Sequence, residues 1–369
     1  MENLKKLVYK IFKYIIYISI SFFDFLICIN HYKKIKKNII LVKLDNIGDF
    51  IIWIDLANSI RNFHKKEHIT LVCNSSVKNL AKNLKLFDEV ITIDQSLFAR
   101  NIFYRINKIQ ILSRYCYQDL YHSTYSRDFI VSDCLVRLLS SRNKYGFFGD
   151  NKNQSGFLKF LSNKWYTKLF KSSEDLTHEF FRNKEFLEKL NIPYIKLNSF
   201  PKFKNKSNII KTSFKDFIVI SPGAYDHKRI WPINSFVKLI NLISNQYDID
   251  IFLCGSKADK KIVDVIEKKS KIRNLQNFSG ITNLLELIEL IRLSKLVIAN
   301  DSASIHIANA VRTYSICISG GNNFGRFVPY PKDFDYTPKT IFNKSCLENK
   351  WECNKYHKCI EQVKEDDVF

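Results

Sequence analysis

Short apolar runs alternate with helix-like segments along the first half of this chain. The pattern predicts strands over 38–44, 68–74 and 89–94, and helices over 50–63, 77–85, 100–115, 128–141 and 178–190. Short apolar runs followed by amphipathic segments are typical of parallel βα units. Residues 146–175 are polar and show no clear period, so they are expected to be irregular.

A second α/β block begins at residue 216. The segment before it, 191–208, holds two prolines and many polar residues and is predicted to connect two domains. In the second block the pattern predicts strands over 216–224, 250–255, 271–278, 295–299 and 314–319, and helices over 233–245, 258–270, 284–293 and 304–311. A glycine-containing turn, 320–327, is predicted to end the block.

The length agrees with this division. At about 100–200 residues per domain, 369 residues suit two domains. The predicted fold is α/β, with two domains, a site in the cleft and an added N-terminal hydrophobic helix. The boundaries are expected at 38–190 for the first domain, 191–212 for a linker, 213–330 for the second domain, and 331–369 for a cysteine-containing tail.

Residues 1–37 differ from the rest of the chain. Residues 7–29 are apolar and aromatic, but Lys10, Lys13 and Asp24 interrupt them. The unbroken run is about half of the roughly 20 apolar residues that a spanning helix requires. We predict an interfacial helix, with its apolar face in lipid and its lysines toward anionic headgroups. The alternative is a helix packed on the protein's own surface.

Composition leaves two readings of the charge open. The formal net charge is +22, but the basic residues are scattered along the chain. They form either a solvated basic surface or a functional basic face. A functional face would suit an anionic membrane or glycolipid better than nucleic acid, because no nucleic-acid-binding motif is present.

The nine cysteines do not resemble a secreted disulfide framework in a chain of this length. Six occur singly, most of them in apolar segments, and are expected to be small core residues. They are Cys28, Cys73, Cys116, Cys134, Cys254 and Cys317. Cys346, Cys353 and Cys359 cluster near His357, but their spacing matches no common zinc motif. A packed or redox-labile loop is predicted there rather than a metal site.

The first segment that could carry chemistry is SPGAYDHKRIWP, residues 221–232. Ser221 and Gly223 follow a predicted strand, and Lys228 and Arg229 come shortly after. Small residues allow a close backbone approach, and two cations can bind a diphosphate. The alternative is an ordinary loop with a solvated lysine and arginine.

The second segment is NDSASIHIANA, residues 300–310. Asp301 and Ser302 are candidates to cap the following helix, whose free backbone amides would bind phosphate well. His306 lies one turn after Ser302, so both can line one face. The alternative is a plain N-cap and a core histidine. The presence of 221–232 in the same block favours a phosphate site.

The third segment is KLDNIGD, residues 43–49. It offers Asp45 and Asp49 after a predicted strand, and Gly48 is expected to let the chain turn sharply beside Asp49. A carboxylate at a strand end suits a general base. The alternative is that Asp49 caps a helix starting at Phe50.

Other catalytic and metal motifs are absent. The chain has no GxGxxG, Walker A, GxSxG or HExxH pattern. Two Asp-x-Asp triplets, 248–250 and 333–335, are consistent with chance in a chain with 36 acidic residues, and no metal role is assigned to them.

These segments resemble those of glycosyltransferase family 9, the bacterial ADP-heptose:lipopolysaccharide heptosyltransferases and their relatives. Residues 39–62 are similar to the family's opening strand, IGD turn and first helix. Residues 221–232 look like its phosphate-binding loop, and 277–311 look like its C-terminal signature, the most specific part of the match. The resemblance covers about 38–330.

The resemblance implies a GT-B arrangement, in which two Rossmann-like domains face across a cleft. It also implies inversion at the anomeric carbon and no metal or other cofactor. Asp49 matches the family's proposed general base, with Asn46 and Gly48 on the acceptor side. Lys228 or Arg229 would stabilise the leaving diphosphate, and Asp259 aligns roughly with an acidic residue that contacts the nucleoside. The positions that match the donor-site signature are Asp301, Ser302, Ala303 and His306.

Two features depart from the family. Ala303 stands where a glycine is usual, and GGNNFGRFVPY, residues 320–330, replaces the commoner loop. The resemblance makes ADP-heptose the default donor, and these departures leave another nucleotide sugar as the alternative.

The chain is expected to transfer a sugar to a hydroxyl of a lipopolysaccharide or lipooligosaccharide core, or of a related glycolipid. Its location would be cytoplasmic, peripheral on the inner face of the bacterial inner membrane. The competing class is a noncatalytic, membrane-associated protein that keeps the fold and binds a nucleotide.

Overall fold

The computed structural model describes residues 2–29, 35–173, 177–203, 216–321, 324–332, 334–342 and 356–369. The chain forms two compact units, and each unit consists of three separate segments. The first comprises Met1–Asn46, Asp55–Asp175 and Arg182–Lys196. The second comprises Ile47–Ile54, Leu176–Phe181 and Leu197–Phe369.

The first half of the chain forms a six-stranded, wholly parallel sheet in the order β3-β2-β1-β4-β5-β6. The strands are β1 (Ile35–Lys43), β2 (Ile69–Asn74), β3 (Glu89–Ile93), β4 (Tyr115–His122), β5 (Ser140–Phe147) and β6 (Lys168–Phe170). The helices are α1 (Glu2–Ile29), α2 (Ile47–Phe63), α3 (Lys78–Asn83), α4 (Gln95–Arg100), α5 (Ile102–Ser113), α6 (Cys134–Leu138), α7 (Gly156–Asn163) and α8 (Glu179–Lys189).

The second half forms another parallel sheet, in the order β12-β11-β10-β7-β8-β9. Its strands are β7 (Phe217–Ser221), β8 (Asp250–Leu253), β9 (Leu275–Asn277), β10 (Leu296–Asn300), β11 (Ser315–Ile318) and β12 (Lys339–Ile341). Its helices are α9 (Ile233–Gln246), α10 (Lys260–Ser270), α11 (Leu284–Leu293), α12 (Ala303–Val311), α13 (Tyr356–Ile360) and α14 (Glu365–Val368). Counted within each half, the two sheets have the same strand order, 3-2-1-4-5-6.

Apolar runs determine the inner strands. Every residue of β7 is buried, as expected for a strand covered on both faces. In β1, successive side chains point to opposite faces of the sheet. Ile40 and Val42 belong to a core that also contains side chains of α5 and α6. Ile39 and Leu41 are buried on the opposite face.

The segment 146–175, expected to be irregular, contains α7 and β6. Strands β4 and β5 were not predicted, because they are rich in polar and aromatic residues rather than in aliphatic ones. The predicted linker, 191–212, lies partly outside the described residues.

The segment after residue 330, expected to be a tail, contributes to the second core. Strand β12 extends the second sheet, and Ile360, Val363 and Val368 pack with the interior of the second unit. The indole nitrogen of Trp231 donates to the carbonyl of Val363 at 2.9 Å. Cys359 takes part in a disulfide. Cys346 and Cys353 lie outside the described residues.

Helix α1 packs on the first unit through one side, where Tyr17, Ile20 and Ile27 contact the core. No helix in the described part of the chain is both long enough and apolar enough to cross a membrane.

Candidate functional site

The candidate site begins where β7 and β10 end. These neighbouring strands flank the point at which the strand order of the second sheet reverses, where open α/β sheets bind their ligands. Asn300, fully buried at the end of β10, joins the two loops that follow. Its amide oxygen accepts from the backbone N–H of Trp231 at 3.1 Å, and its amide nitrogen donates to the carbonyl of Pro222 at 2.6 Å. Sequence reasoning did not single out Asn300.

Arg229 and Lys228 differ in placement. Arg229 Nη1 lies 3.8 Å from Asp301 Oδ2, and its Nε is buried with no hydrogen-bond partner among the described residues. The side chain of Lys228 is exposed, and its backbone N–H donates to Asp226 Oδ1 at 3.0 Å. Of the two cations, Arg229 is therefore the one beside the strand end.

Asp301 carries a buried carboxyl group. Burial raises its pKa, and the nearby Arg229 only partly opposes this change. The residue is 5 % exposed. A cation 3.8 Å away thus compensates only part of the cost of burying this carboxylate.

Ser302 occupies the N-cap position of α12, but its side chain makes no capping hydrogen bond. The expectation that the Ser302 side chain caps this helix is therefore wrong. The first-turn amides of a helix leave donors for an anion. Nearby in the same sheet, Ser221 Oγ at the end of β7 is buried and has no partner within the described chain.

Gly223 is required by its neighbour Asp259. A Cβ added at Gly223 would lie 2.2 Å from Asp259 Cγ. Asp259 Oδ2 accepts from the backbone N–H of Ser256 at 2.8 Å and from its hydroxyl at 2.6 Å. The carboxylate of Asp259 thus packs directly behind the loop after β7.

Asp49 lies in the first turn of α2, which begins at Ile47. The helix does not start at Phe50, so Asp49 does not cap it and lies within the first turn. A carboxylate there is stabilised by the helix dipole. Residues Ile47–Ile54 belong to the same unit as Asp301 and His306.

Gly48 is needed for close approach rather than for a turn. Its backbone is helical, and an added Cβ would lie 2.7 Å from His306 Cδ2 and 3.7 Å from Ala303 Cα. The expected sharp turn at Gly48 is therefore wrong. The first turn of α2 and the first turns of α12 are in direct contact through this glycine.

His306 is buried and neutral at pH 7. Burial lowers its pKa to about 3, with smaller contributions from His178 and Arg229. Its Nδ1 lies 2.9 Å from the hydroxyl of Tyr330. The histidine is thus both hydrogen-bonded, as a core residue would be, and in contact with the backbone beside Asp49.

His178 and Tyr330 complete this cluster and were not predicted. The two rings lie 4.9 Å apart. His178 Nε2 donates to the carbonyl of Phe327 at 2.8 Å, and Nδ1 accepts from the backbone N–H of Phe180. Burial lowers the pKa of His178 to about 4. A buried ion pair, Arg326 with Glu179 at 2.5 Å, holds the same two segments together.

In the first unit, the carboxylate of Asp45 already has an ion-pair partner and a hydrogen-bond donor. Its Oδ2 lies 2.8 Å from Lys43 Nζ and accepts from Thr124 Oγ1 at 2.6 Å. Burial would raise the pKa of Asp45, but Lys43 and Thr124 together lower it below its ordinary value. Asn46 is exposed at the N-cap position of α2 and makes no side-chain capping bond.

Within the described residues, no group of three or more His, Cys, Asp or Glu side chains lies close enough together to hold a metal ion. Asp333 lies outside these residues.

Comparison with known proteins adds to this geometry. The chain is 23% identical over 347 residues to lipopolysaccharide heptosyltransferase 1 of Campylobacter coli, covering 90% of this chain and 96% of the relative. A glycosyltransferase family 9 structure from Veillonella parvula is similar, with a TM-score of 0.69, 15% identity and coverage of 90% and 94% of the two chains.

A third similar protein is ADP-heptose lps heptosyltransferase II of E. coli, with a TM-score of 0.65, 16% identity and coverage of 90% and 96%. The model of glycosyltransferase family 9 (heptosyltransferase) matches residues 124–357, more than half of the chain. The match includes the loop after β7, the helix α12 and the segment from His178 to Phe181. This protein is a glycosyltransferase and belongs to glycosyltransferase family 9.

Proposed function

We propose that this enzyme transfers a sugar, by default heptose from ADP-heptose, to a hydroxyl of a lipopolysaccharide or lipooligosaccharide core or a related glycolipid. The reaction inverts the anomeric carbon and requires no metal. The observation that carries the proposal is the grouping, in one unit, of Asp49 with Arg229, Asp301 and the start of α12. The similarity to heptosyltransferases supports the choice of sugar.

The donor diphosphate binds at the ends of β7 and β10. Arg229 Nε and Ser221 Oγ supply hydrogen bonds that are unmade among the described residues. The amides at the start of α12 add fixed dipoles. Charge that develops on the leaving diphosphate is stabilised most by donors already in position. Lys228, which is exposed, contributes a longer-range positive charge.

Gly223 allows the backbone to approach the donor, and Asp259 behind it contacts the nucleoside. Ser302 and Ala303 line the start of α12. Because Ala303 carries a methyl group where the family usually has glycine, the donor lies slightly farther from this backbone than it would over a glycine.

Asp49 acts as the general base. The acceptor hydroxyl attacks the anomeric carbon from the side opposite the diphosphate, so the C–O bond to the acceptor forms as the C–O bond to the diphosphate breaks. The hydroxyl proton passes to the Asp49 carboxylate. General-base catalysis of this kind contributes roughly 10²–10⁴-fold to rate. His306, neutral at pH 7, holds the Gly48 backbone beside this carboxylate.

The acceptor side includes Asn46 and Gly48, and the domain predicted over 38–190, which contains both residues, binds the acceptor. A protein with a net charge of +22 suits an acceptor that is an anionic glycolipid. We place the enzyme in the cytoplasm, peripheral on the inner face of the inner membrane, with α1 as its lipid-facing element.

The test compares the wild type with Asp49→Asn in transfer from a panel of nucleotide sugars, ADP-heptose included, to truncated core glycolipid. We expect transfer from one donor, unaffected by a metal chelator. The variant should lower kcat by roughly 10²–10⁴-fold while ADP affinity stays within about threefold. Calorimetric titration with ADP is the control for folding.

Two results would contradict the proposal. Equal turnover by Asp49→Asn would remove the assigned base. ADP binding without transfer from any donor would instead favour a noncatalytic nucleotide-binding protein.

A further inference from the structure

Helix α1 is fixed to the first unit by one side. Asp24 forms a two-bond ion pair with Arg105 of α5, at 2.8 and 2.5 Å, and both side chains are almost fully buried. Arg137 of α6 donates to the hydroxyl of Ser21 at 2.6 Å. Breaking one partner of a buried ion pair is strongly destabilising, so α1 is held in one orientation.

The opposite side of α1 is apolar and exposed. Its exposed residues recur at helical spacing and so share one face. They are Phe12, Ile15, Ile16, Ile18, Phe22, Phe23, Phe25 and Leu26. An exposed apolar patch of this extent marks an interaction site on a protein surface.

Two other helices extend this face. Phe157 of α7 is 52 % exposed and lies 6.0 Å, ring to ring, from Tyr14 of α1. Phe160 of α7 is also exposed, and Phe103 of α5, the helix that holds Asp24, is 82 % exposed. We call the exposed phenylalanines of α1, α5 and α7 the aromatic platform: Phe12, Phe22, Phe23, Phe103, Phe157 and Phe160.

The helices that carry the aromatic platform are rich in basic residues and poor in acidic ones. Helices α4, α5 and α7 contain no Asp or Glu, and the acids of α1 are Glu2 and the buried Asp24. The sequence of α1 also carries four lysines in its first turns. On α7, Lys164 at the C-cap lies 4.8 Å above the ring of Phe160. Its ammonium is thus at the edge of the apolar surface.

We propose that the aromatic platform docks the enzyme on an anionic lipid bilayer, with α5 and α7 taking part alongside α1. The proposal names the surface through which the proposed glycolipid-modifying enzyme meets the membrane. Phenylalanines enter the boundary between headgroups and acyl chains, while lysines at the rim reach lipid phosphates.

A second copy of the chain fits this surface less well than a bilayer. A two-fold contact would place the same patch against itself, and the like charges of the two copies would then meet. An anionic bilayer supplies both the missing negative charge and an apolar layer.

An equally exposed phenylalanine outside the aromatic platform provides a control for the vesicle experiment. Phe63 at the end of α2 is 53 % exposed, close to the value for Phe157. It lies next to His64, whose Nε2 is 3.4 Å from the hydroxyl of Tyr121. Tyr121 pairs with Leu41, on the face of the sheet opposite to the core that α1, α5 and α6 cover.

The experiment measures binding of the full chain to vesicles of phosphatidylethanolamine and phosphatidylglycerol, with pure phosphatidylcholine vesicles alongside. The variants are Phe157→Ser with Phe160→Ser, Phe103→Ser alone, and Phe63→Ser. We expect the double variant to bind the anionic vesicles at least roughly tenfold more weakly, and Phe103→Ser several-fold more weakly, because each removes apolar area from the contact. Phe63→Ser should bind like the wild type.

Transfer to a water-soluble acceptor fragment separates this proposal from the proposed function, since the platform variants should retain it. The proposal is overturned if the wild type does not bind the anionic vesicles, or if Phe103→Ser and the double variant bind them like Phe63→Ser. A wild-type dimer in solution that the double variant converts to a monomer would assign the surface to a second copy instead.

Discussion

The two sheets share one strand order, but the points at which that order reverses are built differently. In the first sheet this point lies between β1 and β4, and its polar side chains bond to one another. Asp45 is paired with Lys43 and Thr124. Behind it, the hydroxyl of Tyr166 donates to Asp133 at 2.6 Å and lies 2.6 Å from His122 Nδ1.

In the second sheet the corresponding point lies between β7 and β10 and leaves polar groups unmatched. Ser221 has a single polar side-chain atom, which is buried without a partner in the described chain, and Arg229 Nε is in the same state. The first sheet also holds buried polar atoms without a partner in the described chain, such as His122 Nε2 at the end of β4 and the hydroxyl of Tyr117 near its start. Because native proteins satisfy nearly all buried polar groups, Ser221 Oγ and Arg229 Nε support the proposed donor site at the ends of β7 and β10.

The largest effect is expected from Arg229→Ala. If Arg229 stabilises the leaving diphosphate as proposed, loss of this partly buried cation should lower kcat/KM by roughly 10²–10³-fold. Lys228→Ala is the matched control and should cost less than about fivefold, since an exposed cation acts through screened charge. Steady-state kinetics with the preferred donor measure both. Equal losses of kcat/KM in the two variants would mean that Arg229, although it lies beside Asp301, contributes no more to catalysis than Lys228.

Gly48→Ala should reduce kcat by roughly tenfold or more. The new methyl group would lie 2.7 Å from His306 Cδ2, so the first turn of α2 must shift, and misplacement of a general base by about 1 Å is costly. Gly156→Ala, at the start of α7, is the control because its Cβ would meet no described heavy atom within 4 Å. It should leave kcat unchanged and be neutral or stabilising. A fully active Gly48→Ala would contradict the close contact with His306.

The buried histidines predict loss of stability in acid. Burial lowers the pKa of His122 to about 4 and that of His306 to about 3, from an ordinary value of 6.5. The unfolded chain therefore binds protons first, and stability falls as the pH drops below 6.5. Each histidine should account for about 2 kcal/mol of this loss at about pH 5.

Urea unfolding across pH measures this loss. His122→Gln should flatten the profile down to about pH 4, and His306→Gln should flatten it further, to about pH 3. An unchanged profile in both variants would show that neither histidine is kept neutral by the fold.

The smallest expected effects test most directly how the two sheets differ at the points where their strand order reverses. Ser221→Ala removes an unmatched hydroxyl, so the free energy of unfolding should stay the same or rise by up to about 1 kcal/mol while ADP affinity falls several-fold. Thr124→Val breaks a matched bond to Asp45 and should lower the free energy of unfolding by about 1–2 kcal/mol. Chemical denaturation without nucleotide gives both values. If Ser221→Ala lowered the free energy of unfolding more than Thr124→Val, the hydrogen-bonded polar groups would lie in the second sheet rather than in the first.

Much of the second sheet could be predicted because its strands are aliphatic runs. Strand β10 and helix α11 lie within one residue of the predicted bounds. Strands β4 and β5 were missed although they are central, because tyrosine, asparagine and lysine give them no aliphatic run or clean alternation. Their pairing with long-range neighbours, which local patterns do not encode, makes them strands.

The sequence singled out residues that the structure places in the candidate site, but it did not indicate the contacts that position them. Motif spacing identified Gly48. The reason that no side chain fits there is His306, which is more than 250 positions away in the chain. Asn300 and Tyr330 lie in segments that the sequence singled out, but no role was predicted for either of them or for His178. Asn300 and His178 bond to distant backbone carbonyls, and Tyr330 bonds to the side chain of His306; all three contacts depend on the folded structure.

The second unit is assembled from three separate pieces of chain, and this restricts how the enzyme can be re-engineered. To exchange donor specificity, one would ordinarily replace all residues after a single junction near residue 197 with those of a relative. Such a chimera would keep Ile47–Ile54 and Leu176–Phe181 from the recipient, although both belong to the grafted unit. Asp49, the proposed general base, and Gly48, which lies against His306, would then come from one parent, and His306 from the other. A working graft must transplant all three pieces together.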